Sequence, residues 1–145
     1  MRSEMNFWYH HGGVSVADLD ASIAWYRDVL GFELDKRFHV PTIPADIAMM
    51  RNGDLYFELF EVPGSKALPH DRRVPDDDLQ TQGNKHVAFV VQDAAAFAAE
   101  IESRGADIVW VKKMPHGSNA FIRDNSGNLI EFVEEPVPSG LPGSL

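Results

Sequence analysis

Two segments of the chain share one pattern of apolar and polar positions. The first runs from His11 to Asp18 with the sequence HGGVSVAD, and the second runs from His86 to Asp93 with the sequence HVAFVVQD. In each, mostly small or apolar residues separate a His from an Asp seven positions later. Such a run predicts a strand that is buried on both faces, and the Asp is well placed to cap a following helix.

The same order of elements follows each of these strands. Apolar residues recur at helical spacing after both Asp residues, and Gly31 and Gly105 supply the helix stops. Three further strands are then predicted in each half, at 32–38, 47–50 and 55–60 in the first and at 107–112, 120–123 and 129–133 in the second. The pattern therefore predicts an α+β domain built from a duplicated unit of one strand, one helix and three strands.

The duplication divides the 145 residues into two modules within a single domain. We place the first module at 7–61 and the second at 86–135. Between them, residues 62–85 contain several Pro and Gly residues and the acidic run 76–78, which predicts an exposed linker with a solvated acidic surface. Residues 136–145 contain three prolines and are expected to form a flexible tail, because proline cannot continue a central strand.

The duplication also places four polar residues at equivalent positions. A His opens the first strand of each half and a Glu lies in the last strand; these residues are His11 and His86, and Glu58 and Glu131. A carboxylate is costly to bury in an apolar strand unless something pairs with it. A single His or Glu of this kind is more often a satisfied or solvent-facing residue, but the matched set predicts one divalent metal ion held by all four.

Imidazole nitrogen and carboxylate oxygen suit Zn, Ni, Co, Mn or Fe, so the sequence leaves the identity of the ion open. His10 competes with His11 for the first ligand position. Only His11 keeps the seven-residue step to an Asp that His86 shows, so His11 is preferred. Strand alternation would then turn His10 to the opposite face.

Composition removes several classes of function. The formal net charge of −9 repels phosphate backbones and anionic lipid, so neither a nucleic acid nor a membrane is an expected partner. The absence of cysteine excludes disulfides, thiolate metal sites and Cys nucleophiles. The N-terminus does not resemble a secretory signal, and no apolar run approaches the roughly 18 residues of a membrane span. A cytoplasmic protein is therefore expected.

With these residues in place, the sequence resembles the vicinal oxygen chelate superfamily over residues 7 to 134. This group includes glyoxalase I, methylmalonyl-CoA epimerase, extradiol dioxygenases, and fosfomycin and bleomycin resistance proteins. The matching stretches are 11–18, 24–32, 53–58, 86–91, Gly105 and 124–131. The resemblance implies two βαβββ modules that curl into half-barrels around a metal in a shared cavity. It also implies a homodimer acting on a small molecule.

The full His-Glu-His-Glu set resembles the glyoxalase I and epimerase type within this superfamily. Two carboxylates neutralise a divalent ion, and four ligands on an octahedron leave two positions for substrate oxygens. The ion can then act as a Lewis acid, while Glu58 or Glu131 takes a proton from the adjacent carbon. We therefore predict a lyase or isomerase that acts on an α-hydroxycarbonyl or enediol-forming substrate, with these two residues as catalytic candidates.

Two departures from the family pattern and two alternative functions qualify this prediction. Compact bacterial glyoxalase I enzymes hold glutathione with an Arg and an Asn at positions where this chain has Ser15 and Val62, so no glutathione dependence is expected. Methylmalonyl-type epimerases use an additional Glu on the third strand, and residues 41–50 contain none. A ring-cleaving or other non-haem iron dioxygenase and a protein that sequesters a drug or metabolite remain as alternatives.

Strand alternation from the metal ligands also suggests which side chains line the cavity. The candidates for substrate binding are Tyr9, Met50, Tyr56 and Phe60, for which ordinary core packing is the competing interpretation. His116 lies in a loop before a predicted strand, from which it could reach over the cavity, although a surface position is the better expectation.

Overall fold

Residues 5–115 and 117–136 are described by the computed structural model, and they form two modules with the same order of elements. The first module comprises β1 (Gly12–Ser15), α1 (Leu19–Leu30), β2 (Glu33–Val40), β3 (Ala45–Asn52) and β4 (Leu55–Glu61). The connecting segment contains a 3₁₀ turn (His70–Arg73) and α2 (Pro75–Asp78). The second module comprises β5 (Val87–Val91), α3 (Ala94–Ser103), β6 (Asp107–Met114), β7 (Gly117–Arg123) and β8 (Leu129–Glu134).

Each module is one four-stranded mixed sheet. The strand orders are β1-β4-β3-β2 and β5-β8-β7-β6, so the first strand of each module pairs with the last. That pairing is parallel, whereas the other pairs are antiparallel. The predicted α+β fold is confirmed, and the later strands of each module extend beyond most of the predicted ends by one to three residues. No helix within the described residues is long and apolar enough to cross a bilayer.

Both long helices begin and end where the sequence predicts. The Asp18 carboxylate accepts a hydrogen bond from Ala21 N at 3.0 Å, and the Asp93 carboxylate accepts one from Ala96 N at 2.9 Å. These bonds satisfy backbone donors of the first helical turn. Gly31 closes α1 with a φ of 73°, in the left-handed region where glycine is favoured. The two halves therefore begin their helices with the same Asp cap, as predicted.

The first strand of each module is buried on one face only, so the prediction of burial on both faces is wrong. Along β1 and β5, partly buried positions alternate with exposed ones, and Val90 remains 46% exposed. One face of each sheet packs against the helices and the core. The opposite face, called the open face below, is exposed along β1 and β5, although Ile47, Met49 and Phe121 on it are buried. Small residues such as Gly13, Ser15 and Ala88 occupy the open face, which the apolar count alone did not reveal.

A single hydrophobic core joins the two modules. Phe32 of the first contacts Phe89 of the second, with ring centroids 6.3 Å apart, and Phe97 packs on Phe132 at 4.6 Å. The largest fully buried apolar residues come from both modules: Leu19, Tyr26, Met50, Leu59, Ile101, Ile122 and Ile130. Because these residues form one cluster, each module covers part of the apolar face of the other.

A buried carboxylate fastens the turn after β7 to the first module. Asp124 is 4% exposed and accepts hydrogen bonds from Tyr26 Oη at 2.8 Å, from Asn128 Nδ2 at 3.0 Å and from two backbone N–H groups of its own turn. Asn128 Nδ2 also donates to the Ser15 carbonyl at 3.1 Å. Burial, with the nearby Asp124 charge and its hydrogen bond, raises the pKa of the Tyr26 hydroxyl well above its usual range.

The segment 62–85 is exposed along much of its length, as predicted, but its 3₁₀ turn and α2 are held by specific contacts. Asp78 is 2% exposed and pairs with Arg72 and with Lys85, whose Nζ also donates to the Asp78 carbonyl at 2.6 Å. The prediction of a solvated acidic run is therefore wrong at Asp78, although its two acidic neighbours are exposed. Arg123 Nε donates to the Arg73 carbonyl at 2.7 Å, which holds the 3₁₀ turn against β7. Of the predicted tail, residues 137–145 lie outside the described residues.

We predict that Tyr26→Phe lowers the free energy of unfolding by about 1–3 kcal/mol at neutral pH, because it removes a donor from the buried Asp124 carboxylate. The raised Tyr26 pKa means that the native state retains a proton that the unfolded chain loses above pH ~10. The wild-type advantage should therefore shrink as the pH rises above that value. Urea unfolding over a pH series measures both effects.

Tyr9→Phe is the matched control for this experiment, since Tyr9 is 80% exposed and should show almost no change. Equal stability of the Tyr26→Phe variant and the wild type at pH 7 would show that the hydrogen bond to Asp124 does not hold the modules together.

Candidate metal centre

The parallel pairing of β1 with β4 places a His opposite a Glu. Gly13 is the register partner of Glu58, and His11 lies two residues earlier on the chain. His11 Nε2 and Glu58 Oε2 are 3.7 Å apart, with the carboxylate side chain mostly buried at 16% exposure. The two side chains predicted as ligands from the first module therefore do lie side by side.

The second module repeats this arrangement. Ala88 of β5 is the register partner of Glu131, and His86 lies two residues before Ala88. His86 Nε2 and Glu131 Oε2 are 3.9 Å apart, with exposures close to those of the first pair. The equivalence inferred from the sequence thus extends to the placement of the side chains.

The four predicted ligands form two separate His–Glu pairs rather than one group of four. Among residues 5–115 and 117–136, no group of three or more His, Asp or Glu side chains is arranged to hold a metal ion. Metal sites of this chemistry use at least three protein ligands, so each His–Glu pair has half of the usual complement. Within one chain, the described side chains provide two half-sites.

The spacing within each pair nevertheless fits a shared ion. Atoms bound at about 2.0–2.2 Å to one ion lie no more than ~4.4 Å apart, and 3.7 Å and 3.9 Å fall inside that limit. Both separations exceed ordinary hydrogen-bond lengths, so neither pair is closed by a direct hydrogen bond. Imidazole nitrogen with carboxylate oxygen is a donor set that suits first-row divalent ions such as Zn, Ni and Fe.

Close strand packing in the first pair depends on a residue without a side chain. A Cβ added to Gly13 would lie 3.0 Å from the Phe60 ring, 3.2 Å from the Glu58 carbonyl oxygen and 3.4 Å from Glu58 Cβ. At neighbouring Gly12, the tightest contact of an added Cβ is the far end of the exposed Tyr9 side chain. Gly13 therefore sets the distance between β1 and the strand that carries Glu58.

The residues predicted to line the cavity divide between the two faces of the first sheet. Tyr56 and Phe60 alternate with core residues and share the face of Glu58, as predicted. Met50 lies on the opposite face, where it is the register partner of Phe57 and is fully buried in the core. Its predicted place beside Glu58 is therefore corrected: Met49 is the register partner of Glu58, and an error of one residue exchanges the faces.

A groove of about 350 Å³ lies where the two modules meet, and its walls include Tyr9, His10, Tyr56 and His86. The structure thus brings two of the predicted substrate-binding residues to the second predicted His ligand. His10 packs against Tyr56 at 6.1 Å between ring centroids, on the face from which alternation would have excluded it. Alternation fails there because β1 begins only at Gly12. His116 lies outside the described residues.

Sequence reasoning missed three residues that surround Glu131. Asn119 Nδ2 donates to Glu131 Oε2 at 3.3 Å, and the Phe121 ring contacts His86 edge-on at 4.8 Å and Trp110 at 5.3 Å. The alternation of Asn119 and Phe121 with core residues is a signal that could have located them. It was overlooked because the comparison of the halves retained only residues that match in both.

A family model described as the Glyoxalase/Bleomycin resistance protein/Dioxygenase superfamily matches residues 8–132. The chain belongs to this superfamily. Uncharacterized protein YaeR of Escherichia coli K12 is 28% identical over 131 residues, covering 87% of this chain and 95% of that protein. A lactoylglutathione lyase of Neisseria meningitidis serogroup A is 29% identical over 131 residues, covering 86% of this chain and 88% of that enzyme.

Solved structures show the same superfamily fold. A glyoxalase family protein from Enterococcus faecalis superposes with a TM-score of 0.74 at 21% identity, covering 88% of this chain and 97% of that one. The trypanothione-dependent glyoxalase I of Leishmania major gives 0.69 at 22% identity, covering 90% and 88%. The fosfomycin resistance protein FosX from Listeria monocytogenes, complexed with Mn(II), gives 0.59 at 17% identity, covering 93% and 94%. At these identities the structures establish the fold.

We predict that Gly13→Ala destabilises the protein by about 1–2 kcal/mol, because the added methyl group meets backbone and ring atoms that must shift. Gly12→Ala is the matched control, and it should be neutral or slightly stabilising, since alanine loses less backbone freedom than glycine. Thermal or urea unfolding of both variants checks this difference. Equal effects at the two positions would contradict the tight approach of β1 to Glu58.

Proposed function

We propose that this protein is a divalent-metal-dependent lyase or isomerase of the glyoxalase I-like type, whose ion is held by His11, Glu58, His86 and Glu131. The observation that carries the proposal is the pair of equivalent His–Glu contacts, at 3.7 Å and 3.9 Å, on the open faces of both modules. The Mn(II) in the FosX structure is consistent with such a site on this fold.

We further propose that two copies of the chain complete the site, one supplying the first His–Glu pair and the other the second. Each pair alone is half a site, and the faces that carry both pairs are open. Phe7, Trp8 and Tyr9, which lead directly into His11, are each at least 80% exposed. A run of large exposed apolar side chains is typical of a surface that another protein covers. A homodimer accounts for both features.

The bound ion would act as a Lewis acid on a carbonyl oxygen of the substrate. The chain's own contribution is to move a proton: one Glu carboxylate takes it from the carbon next to that carbonyl and returns it to the neighbouring carbon, so no oxidant is needed. Glu58 and Glu131 are the two candidates for this step. Asn119 holds one oxygen of Glu131, which fixes the orientation of that carboxylate.

The proposed substrate is a small α-hydroxycarbonyl or enediol-forming compound that is not attached to glutathione. Several relatives are named lactoylglutathione lyase, so glutathione is the natural comparison. At the two positions where compact bacterial glyoxalase I carries a glutathione-binding Arg and Asn, this chain has Ser15 and Val62, and neither side chain bears a charge. The groove that contains Tyr9 and Tyr56 offers walls for a partly apolar molecule.

We predict that the metal-loaded protein exchanges the carbon-bound protons of dihydroxyacetone for solvent deuterium, as measured by NMR, and that added glutathione does not accelerate the exchange. Glu131→Gln and Glu58→Gln should show which carboxylate takes the proton. Replacing the carboxylate that does so should lower the exchange rate by at least about 10²-fold and leave the melting profile unchanged. Glu61→Gln, on the same strand as Glu58, is the matched control. An exchange rate equal to that of the wild type in both variants, or in protein stripped of metal, would contradict the proposal.

We also predict that the metal site is shared between copies. A chain with His11→Ala and Glu58→Ala and a differently tagged chain with His86→Ala and Glu131→Ala should each bind no metal as homodimers. The heterodimer isolated by both tags should bind one ion, because one of its two sites keeps both intact pairs. Two differently tagged wild-type chains provide the reference of two ions per dimer. An empty heterodimer would show that each site lies within one chain.

A further inference from the structure

We propose that Trp110 and Asn119 form a hydroxyl-binding subsite beside Glu131, which selects substrates with a further hydroxyl group next to the oxygens that chelate the metal. This subsite rests on the proposed function, because it gives specificity to the same site. The register of the second sheet and two buried polar atoms on its open face support this subsite.

The register places these residues on the face that carries Glu131. Phe121 is the partner of both Glu131 on β8 and Trp110 on β6, and Asn119 lies two residues before Phe121. Ring contacts run continuously from His86 through Phe121 to Trp110, at 4.8 Å and 5.3 Å. Trp110 and Asn119 are therefore diagonal neighbours across the β6–β7 pair, beside the second predicted His–Glu pair.

One donor and one acceptor on this face are unused. Trp110 Nε1 and Asn119 Oδ1 are buried, and neither has a hydrogen-bond partner among the described residues. A buried polar atom without a partner is costly, so a site that gains one on ligand binding gains affinity for the ligand that supplies it. The Asn119 amide cannot simply reverse, because its oxygen would then face the Glu131 carboxylate to which Nδ2 now donates.

The two atoms define the chemistry of the group they would bind. Indole Nε1–H only donates and the amide oxygen only accepts, whereas a hydroxyl group does both through one oxygen atom. A carboxylate oxygen would meet the Asn119 oxygen as a second acceptor, and an ammonium group would bring only donors to Trp110. The combination therefore favours a neutral hydroxyl group.

Lys112 adds a positive charge beside this subsite. Its Nζ lies over the Trp110 ring, 3.5 Å from the centroid, and its side chain is exposed. Trp110 and Asn119 are each partly exposed as whole residues, so their two buried polar atoms lie close to the surface. The charge of Lys112 at the edge of the site would attract an anion, although the net charge of the whole protein is −9. The preferred substrate is thus a hydroxylated anion.

The first module has no equivalent subsite. Ile47 and Met49 occupy the register positions that correspond to Asn119 and Phe121, and both are buried apolar residues. A substrate bound between a first and a second module would therefore find this donor–acceptor pair on the side of the second module only. Its hydroxylated end would face Trp110 and Asn119, and its least polar end would face Ile47 and Met49.

Glycerate and lactate test this subsite because both chelate through a carboxylate and an α-hydroxyl, and only glycerate has the further hydroxyl. Zinc binding is first established by titration. In the zinc-loaded protein, each of the three tryptophans gives one indole signal in a ¹H–¹⁵N spectrum, and Trp110→Phe identifies the signal of Trp110. Glycerate should shift that signal downfield and lactate should not. Glycerate should also bind ~5- to 10-fold more tightly than lactate.

Trp110→Phe and Asn119→Ala should each remove the preference for glycerate while zinc binding persists. Trp25→Phe is the matched control, because that ring lies on α1 away from the open face, and it should keep the preference. Zinc binding without any preference, or without binding of either acid, would overturn the subsite and leave the metal site standing. Failure to bind zinc would instead overturn the proposed function on which the subsite rests.

Discussion

The parallel pairing of the first strand with the last strand of each module is the constraint on which the site depends. It places His11 against Glu58 and His86 against Glu131, although the members of the pairs are 47 and 45 positions apart in the sequence. Parallel neighbouring strands need a crossover connection, which here includes a helix. That helix covers one face of the sheet and leaves the opposite face without one. The core and the polar face are consequences of one topology.

Much of the fold could be predicted because the same sequence pattern occurs in both halves of the chain. The Asp18 and Asp93 caps, the Gly31 stop and the order of strands follow from local chemistry that repeats in both halves. What could not be predicted depends on side-chain contacts and strand register that the local pattern does not specify. The burial of Asp78 requires Arg72 and Lys85 beside it, and the core position of Met50 requires the register that only the sheet fixes.

The candidate site divides in the same way. Equivalence between the halves was sufficient to select the two His–Glu pairs, and the geometry supports each pair separately. The same reasoning could not find Asn119 or Trp110, because residues that differ between the halves leave no trace in a comparison of matching ones. The modules agree where a shared ion would require agreement and differ in the side chains around it.

Contacts of Arg73 hold the connecting segment against the second module. Arg73 lies against Gly127 in the turn after β7, where a Cβ added to the glycine would be 3.0 Å from the arginine Nε, and its carbonyl accepts from Arg123. That same turn carries Asp124, which reaches back to Tyr26 on α1. A substitution in the connecting segment would therefore reach the contact between the two modules through this one turn.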